Sequence, residues 1–183
     1  MSKRCFPSKP DALYERYHDE EWGKLNLDSK YLYEMLVLES FQSGLSWATI
    51  LHKRENFRKD FANWNYEKVA KFTQSDIDQL MNDTGIVRNK MKINAAINNA
   101  HALLKLEEKY GSFSEFLNQF ISKPIINHPK DFSELPSQDE NSQRIAKALK
   151  KEGFKFVGPV TIYSFLEAIG LINDHFDWCE WKY

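Results

Sequence analysis

The chain contains few of the residues that interrupt regular structure. It has seven glycines and six prolines among 183 residues, where an average composition would supply about 22 of the two together. Because glycine and proline mark turns, their scarcity argues against a turn-rich β-sandwich and favours long helices. Apolar residues recur at helical spacing along most of the chain, and no segment alternates convincingly as a strand does. We therefore expect an all-α fold.

Other absences exclude whole classes of protein. No run of about 18 apolar residues is present, which predicts no transmembrane helix, and the residues after Met1 are polar, which predicts no secretory signal. Two cysteines at opposite ends of the chain do not suggest a disulfide framework. No glycine-rich phosphate loop or dinucleotide fingerprint occurs, so we expect no nucleotide cofactor. These features predict one cytoplasmic domain over residues 1–183.

A carboxylate falls on the apolar face of the second predicted helix. Glu39 lies at helical spacing from Leu32 and Leu36, and an ionised carboxylate in an apolar site is either costly or shifted to its neutral form. Two interpretations stay open: a buried glutamate bonded to backbone groups, or a pocket carboxylate that awaits a donor or a cation. Trp47, just past the break at Gly44, could form a wall of that pocket, although such a tryptophan more often belongs to a core.

Each cysteine has a histidine near it in the sequence. Three residues separate His175 from Cys179, a spacing that suits two zinc ligands, whereas the twelve residues between Cys5 and His18 are too many for a local chelating motif. The pairs are either incidental or the four ligands of a closed structural site that ties the two ends of the chain together. The residues alone leave both interpretations open.

Basic residues concentrate in two stretches, although 25 basic and 26 acidic residues leave a formal net charge of −1. Residues 84–106 contain four basic residues and no acid, and residues 144–155 contain five against Glu152 alone. The second stretch enters a glycine-bounded turn before a helix predicted to begin at Pro159, whose backbone N–H groups could bind an anion. The pattern suits either a local phosphate-binding face or a basic face that is only solvated.

Several sequence blocks resemble those of a known family. The turn at 153–158 and its flanking helices, over about 137–170, resemble the helix-hairpin-helix of the DNA glycosylase superfamily, and residues 85–90 resemble the segment that precedes it. Residues 17–23, 38–47, 53–55 and 153–175 are similar to blocks of the bacterial 3-methyladenine DNA glycosylase I family. The similarity extends from Cys5 to Cys179, and the combination of blocks is highly specific.

The resemblance implies a helix-hairpin-helix glycosylase fold and a monofunctional enzyme of base-excision repair. Such an enzyme flips the damaged nucleotide out of double-stranded alkylated DNA and hydrolyses the N-glycosidic bond of 3-methyladenine, which leaves an abasic site. The resemblance also implies one structural Zn²⁺ that joins residues 1–18 with residues 175–179, held by Cys5, His18, His175 and Cys179. We expect a monomer whose partner is DNA and not a membrane.

The resemblance also assigns roles to single residues. Glu39 is the expected catalytic residue, and base binding is expected of the aromatic residues Tyr14, Tyr17, Trp22, Trp47 and Phe6. The family usually carries an aromatic residue where this chain has Pro7, and the adjacent Phe6 is the candidate for that stacking role. DNA contacts are expected from the turn after the second helix and from the hairpin, through Gln42, Gly44, Leu45, Lys155, Val157 and Gly158. Asp174 adjoins a zinc ligand and receives no catalytic role.

Two other functions stay open beside the glycosylase. In the first, the chain is a non-catalytic, zinc-stapled helical DNA-binding module in which Glu39 is buried and inert, so duplex binding would occur without release of a base. In the second, the chain is a bifunctional glycosylase and lyase, and borohydride would trap a covalent adduct between an amine and the DNA.

Overall fold

Helices form nearly all of the regular structure. The computed structural model describes residues 3–5 and 11–182, so Phe6 and Pro7 lie outside the described residues. The helices are α1 (Ala12–Glu20), α2 (Ser29–Gln42), α3 (Trp47–Asp60), α4 (Tyr66–Val69), α5 (Gln74–Asn82), α6 (Lys90–Tyr110), α7 (Phe113–Asn118), α8 (Glu140–Lys151) and α9 (Pro159–Ala168). Short 3-10 turns lie at Ala62–Trp64 and Phe132–Glu134. The predicted helical class is confirmed, and no helix in the described part of the chain has the length and apolarity to cross a membrane.

Polar side chains at the helix starts determine where several helices begin. Asp28 accepts a hydrogen bond from the Tyr31 N–H at the start of α2, and Ser46 accepts one from the Thr49 N–H at the start of α3. Such caps satisfy backbone donors that have no partner within the helix. Helix α8 begins later than the predicted boundary near residue 137, because Asp139 caps it in a capping box.

Helix α2 occupies the centre of the core. Its residues 32–41 are all buried, because α3, α6 and α9 pack around it. The sequence predicts one apolar face for this helix, whereas the structure buries every side. A carboxylate anywhere on this part of α2 therefore loses most of its water.

A short parallel pairing connects the long loop after α7 to the C-terminal segment. Strands β1 (Ile125–Ile126) and β2 (Ile172–Asn173) pair in the register Ile125↔Ile172 and Ile126↔Asn173. Two residues per strand are too few to produce a recognisable alternation, so the sequence does not predict this pairing. It fixes the loop at 123–136 against the segment that carries His175 and Cys179.

The turn between α8 and α9 is held by side chains from other helices. Phe156 adopts a left-handed φ of 56°, a conformation that is uncommon for a residue other than glycine. Asn99 of α6 donates its amide to the Lys155 carbonyl (2.9 Å) and accepts the Lys155 N–H (2.8 Å). The Ser40 hydroxyl of α2, which donates to the Leu36 carbonyl at 2.7 Å, is also within 3.2 Å of the Phe156 carbonyl. These bonds hold the turn beside the helix that carries Glu39.

Candidate active site

Glu39 is buried without a hydrogen-bond donor. Its side chain is 5 % exposed, and within the described residues nothing donates a hydrogen bond to its carboxylate. Burial alone raises the pKa of Glu39 to about 8. Of the two interpretations that the sequence leaves open, this geometry favours the pocket carboxylate over a glutamate bonded to backbone groups.

The carboxylate faces a cavity of about 300 Å³, a size typical of small-molecule pockets. Helices α1, α2, α3 and α9 supply most of the lining, and the segments at Cys5, Trp22 and Phe132 complete it. The lining residues are Cys5, Tyr14, Tyr17, His18, Trp22, Glu39, Gln42, Trp47, Phe132, Ser164 and Glu167. The structure therefore gathers Glu39, Gln42 and four of the five expected base-binding aromatics around one space.

Aromatic rings form the walls of the cavity. The ring centroids of Tyr17 and Trp47 are 5.2 Å apart, and the planes are tilted by 48°. Burial raises the pKa of Tyr17, and the nearby Glu39 carboxylate raises it further by a smaller amount. The Tyr17 hydroxyl therefore stays protonated. Trp47 both packs against the core and lines the cavity. Its indole N–H is buried and has no acceptor among the described residues, which costs about 1–3 kcal/mol.

Helix α9 contributes two pocket residues that the sequence reasoning missed. Ser164 and Glu167 are three residues apart and line the cavity together with the expected set. Burial raises the pKa of Glu167 well above its usual value, and the adjacent Asp174 carboxylate raises it further. The available signal was a single acid within the apolar sequence from Phe165 to Ile169, the same signal that identified Glu39 on α2.

Asp174 is not among the residues that line this cavity. Its carboxylate accepts hydrogen bonds from the Tyr163 hydroxyl (2.7 Å) and the Asn127 amide (2.7 Å), and it is hydrogen-bonded to the Glu167 carboxyl. Because this carboxylate is engaged by three neighbours and buried, it supports the structure behind the pocket.

Next to the cavity, four side chains converge to form the Cys/His cluster (Cys5, His18, His175 and Cys179). All four are buried, and one potential ligand atom from each lies within 4.8 Å of the others. The His175 Nδ1 atom is 3.7 Å from the Cys5 Sγ and 3.3 Å from the Cys179 Sγ. Tetrahedral bonds of zinc length would place nitrogen and sulfur ligands about 3.6 Å apart. The cluster therefore has the donor set and spacing to hold a metal ion.

The groups around this cluster fix its histidines in the form that binds metal. The His18 Nδ1 is 2.8 Å from the Asp19 carboxylate, which Arg4 in turn binds with two nitrogen atoms. The His175 Nε2 is 2.8 Å from the Trp22 carbonyl, and burial lowers the pKa of His175 to about 4. Such outer contacts orient ligand histidines, so the other ring nitrogen of each points toward the two cysteine sulfur atoms.

Burial also disfavours a charged thiolate in this cluster. It raises the pKa of the Cys5 thiol far above its usual value, despite a hydrogen bond from the Phe176 N–H to its sulfur. A bound cation would reverse this effect, because metal ligation requires the thiolate and stabilises it.

The turn between α2 and α3 lies at the edge of the cavity. Gln42 donates its amide to the Leu45 carbonyl at 2.7 Å, and Leu45 is 38 % exposed. Gly44 has a φ of 80° with open space around it. Lys92 of α6 donates to the carbonyls of Phe41 (2.8 Å) and Ser43 (2.6 Å). The turn thus exposes the apolar Leu45 side chain, and the Lys92 hydrogen bonds hold the backbone that precedes it.

The expected DNA-binding residues of the hairpin differ in what they present. Lys155 is exposed, whereas the Val157 side chain is fully buried. Gly158 precedes Pro159, the first residue of α9. Val157 and Gly158 can therefore contact a partner only through the backbone.

Comparison with known proteins agrees with this arrangement. The sequence profile of the methyladenine glycosylases matches residues 7–183. The DNA-3-methyladenine glycosylase of Haemophilus influenzae is 42% identical over 183 residues, which cover 100% of this chain and 99% of the relative. The DNA-3-methyladenine glycosylase 1 of Escherichia coli is 44% identical over 178 residues, with 97% and 95% coverage. The chain belongs to the methyladenine glycosylase family.

Solved structures support the same assignment. A Tyr-to-Phe variant of 3-methyladenine DNA glycosylase I in complex with 3-methyladenine superposes with a TM-score of 0.95 and 42% identity over 100% of this chain and 98% of that one. The 3-methyladenine DNA glycosylase I of Staphylococcus aureus gives a TM-score of 0.95 at 42% identity, covering 98% of this chain and 96% of that one. The family resemblance predicted from the sequence blocks is confirmed.

Proposed function

We propose that this methyladenine glycosylase hydrolyses the N-glycosidic bond of 3-methyladenine in alkylated DNA and so begins base-excision repair. The observation that carries the proposal is the buried Glu39 carboxylate, which has no donor among the described residues and faces a cavity with aromatic walls. The relatives named DNA-3-methyladenine glycosylase, similar over nearly their full length, support it.

Glu39 would distinguish the damaged base from a normal one by charge. The rise of its pKa from 4.5 to about 8 corresponds to a cost of roughly 5 kcal/mol for ionising the empty site. 3-Methyladenine attached to DNA is cationic, so its entry favours the ionised carboxylate, whereas neutral adenine brings no compensating charge. A charge-assisted hydrogen bond of this kind contributes about 1.5–3 kcal/mol.

The aromatic walls would hold the flipped base in plane. Trp47 supplies a ring for stacking, and the protonated hydroxyl of Tyr17 supplies a polar contact within the same cavity. Tyr14 and Trp22 extend the apolar lining. Stacking does not depend on base identity, so selectivity in this proposal comes from charge and hydrogen bonding at Glu39.

Extrusion of the nucleotide would use two neighbouring turns. The exposed Leu45 side chain is an apolar wedge that would fill the space left in the duplex, on a turn formed by Gly44 and braced by the Gln42 amide. The turn at 153–158 would contact the phosphate backbone through Lys155 and through backbone N–H groups near Val157 and Gly158. This assigns a helix-hairpin-helix role to α8 and α9, whose close packing and glycine-bounded turn support it.

The bond broken joins the base nitrogen to C1′ of the deoxyribose. The bonding electron pair leaves with the cationic base, which departs neutral and needs little acid catalysis, while water adds to C1′ and releases a proton to solvent. The cavity-lining residues of the described chain include no lysine. This favours hydrolysis over Schiff-base chemistry, and therefore a monofunctional enzyme.

The Cys/His cluster would hold one Zn²⁺ in a structural role. All four ligand positions would be taken by protein atoms, which is the pattern of closed structural sites. When bound, zinc would supply a cross-link between the N-terminal segment and the segment after β2. We propose in addition that the protein acts on double-stranded DNA as a monomer and is located in the cytoplasm.

The decisive experiment is chromatography of the bases released from alkylated duplex DNA by the purified protein. We expect free 3-methyladenine from alkylated DNA and no adenine from untreated DNA. Duplex binding without release of any base would instead identify a non-catalytic DNA-binding module. A covalent adduct trapped by borohydride would identify a bifunctional lyase and contradict the hydrolytic mechanism.

A further inference from the structure

Phe132 is an exposed aromatic residue at the mouth of the cavity. It lies in the 3-10 turn Phe132–Glu134, far in sequence from the other lining residues, and its side chain is 46 % exposed, compared with 5 % for Glu39. A lining residue with this exposure lies at the rim, whereas Glu39 lies at the floor. An apolar ring left in water beside a pocket is typical of a ligand-binding surface.

The ring of Phe132 packs against a buried aromatic residue. It contacts Phe176 edge-on, with centroids 4.9 Å apart and planes at 85°. Phe176 is itself buried in a small apolar cluster with Cys5 and Cys179. The position of the ring is thus determined by the same segment that carries half of the Cys/His cluster.

Backbone contacts hold the turn around Phe132 in place. The Trp178 indole donates to the Lys130 carbonyl at 2.8 Å, and the Asp177 N–H donates to the Pro129 carbonyl at 3.1 Å. Within the turn, Asp131 accepts the Ser133 N–H at 2.8 Å. A ring held in this way loses little conformational freedom when a ligand packs against it.

The position at the rim determines which part of a nucleotide can reach the ring. A base whose edge contacts Glu39 at the floor leaves its deoxyribose near the mouth, where the phosphodiester chain continues out of the cavity. We propose, on the basis of the proposed function, that Phe132 is a binding residue that packs against the deoxyribose of the flipped nucleotide. The phenyl ring covers the apolar face of the sugar and shields the cavity from water.

The test compares two ligands, each of which contains a different part of the nucleotide. One is a duplex that contains a tetrahydrofuran abasic-site analogue, which has the sugar but no base, and the other is free 3-methyladenine. We expect Phe132→Ala to weaken binding of the duplex about tenfold, with binding of the free base changed by less than about twofold. Phe132→Leu should recover part of the loss, because it restores apolar area.

A matched control is available on the same segment. Ile126 is 47 % exposed and is not among the cavity-lining residues, so Ile126→Ala should leave binding of both ligands unchanged. Thermal unfolding of each variant shows whether the segment stays folded. If Phe132→Ala unfolds the segment, the Phe132→Leu variant is used instead, and its affinity for the duplex is compared with its affinity for free 3-methyladenine.

Two results would overturn the assignment. Equal duplex affinity for Phe132→Ala and the unaltered protein would show that the ring does not contact the sugar. An equal loss for the duplex and for the free base would place the ring against the base instead. Release of 3-methyladenine by the unaltered protein is measured first, because failure there would contradict the proposed function and not the role of Phe132 alone.

Discussion

Buried polar side chains collect in two adjacent regions, and the two regions differ in how their bonding is completed. In the Cys/His cluster, four ligand atoms face one another, and the outer ring nitrogens of His18 and His175 lie against a carboxylate and a carbonyl oxygen. In the cavity, the Glu39 carboxylate and the Trp47 indole N–H have no partner among the described residues. Helix α1 contributes to both regions: His18 belongs to the cluster and also lines the cavity.

The difference indicates what each region binds. A cluster whose outer contacts are all in place could hold one resident ion, and under the proposed function such an ion would contribute to the stability of the fold. A cavity with an unpaired carboxylate lowers the stability of the fold. A ligand that supplies the missing partner removes this cost, and the free energy recovered favours binding of that ligand. Each of the following experiments perturbs one side of this comparison.

Loss of a cluster ligand should have the largest effect, and it should fall on the fold. We expect about one equivalent of zinc per chain by elemental analysis. His175→Ala should remove the zinc and lower the thermal unfolding midpoint by ~10 °C or more, because metal binding is coupled to folding. His128→Ala is the matched control: His128 is exposed and paired with Asp177 at 2.8 Å, outside the cluster, so zinc content should stay the same. Zinc-free protein of unchanged stability would contradict the structural role.

Glu39→Gln should have the next largest effect, and it should fall on activity. The amide keeps the shape of the side chain but cannot balance a positive charge, so we expect release of 3-methyladenine to slow by about 100-fold or more. Binding of the free base should weaken as well. The measurement is single-turnover base release from alkylated duplex DNA. Unchanged turnover would remove Glu39 from the mechanism.

The same substitution should stabilise the fold at neutral pH. Since the pKa of Glu39 is raised from 4.5 to about 8, folding holds a proton that the unfolded chain releases, and this destabilises the folded protein increasingly as the pH rises from 4.5 to 8. Glu39→Gln removes this penalty, so its gain in unfolding free energy over the unaltered protein should grow across that interval. A constant difference between pH 5 and pH 8 would contradict the raised pKa.

Glu34 on the same helix provides the control for that stability measurement. Glu34 and Glu39 are each 5 % exposed, but Glu34 accepts a hydrogen bond from the Arg54 Nε at 2.7 Å. Glu34→Gln should therefore destabilise the protein by roughly 1–3 kcal/mol, because it weakens a paired group. Changes of opposite sign in the free energy of unfolding would distinguish the hydrogen-bonded carboxylate of Glu34 from the unpaired carboxylate of Glu39.

Trp47→Ala should have a smaller effect that is confined to the base. Loss of one stacking ring costs about 1–3 kcal/mol, which corresponds to an affinity for free 3-methyladenine that is weaker by about fivefold to 150-fold. Trp47→Phe retains a ring and should recover most of the binding. Titration of the free base measures both variants, and normal binding by Trp47→Ala would leave this residue with a role in packing only.

The sequence predicts the helical class and the burial of Glu39, because both follow from local spacing along one helix. The position of Asn99 is different: nothing in its neighbours shows that it pairs with Lys155, because the contact joins residues far apart in the chain. Phe132 was missed for the same reason, since a cavity formed by several elements leaves no pattern in the loop that carries this residue. Glu167 did leave a local signal, a single acid within an apolar sequence, and that signal was overlooked. The four residues of the cluster were suggested by the histidine near each cysteine, although only His175 and Cys179 have a local ligand spacing, and the family resemblance turned this open interpretation into an expectation.

The smallest predicted effect concerns the turn at 153–158. Asn99 bonds to both the N–H and the carbonyl of Lys155, whereas the neighbouring Asn98 makes one bond to the turn, to the Gly153 carbonyl at 2.8 Å, and a second to the Asn99 Oδ1 at 3.2 Å. Asn99→Ala leaves two backbone groups without their partner and frees a turn that contains the left-handed Phe156. We expect a several-fold loss of affinity for duplex DNA, about 1 kcal/mol, with binding of free 3-methyladenine unchanged. Asn98→Ala should have a weaker effect, because only one of the two bonds it removes reaches the turn. If Asn99→Ala weakens the free base as much as the duplex, the turn supports the cavity, and its role as a separate DNA contact is wrong.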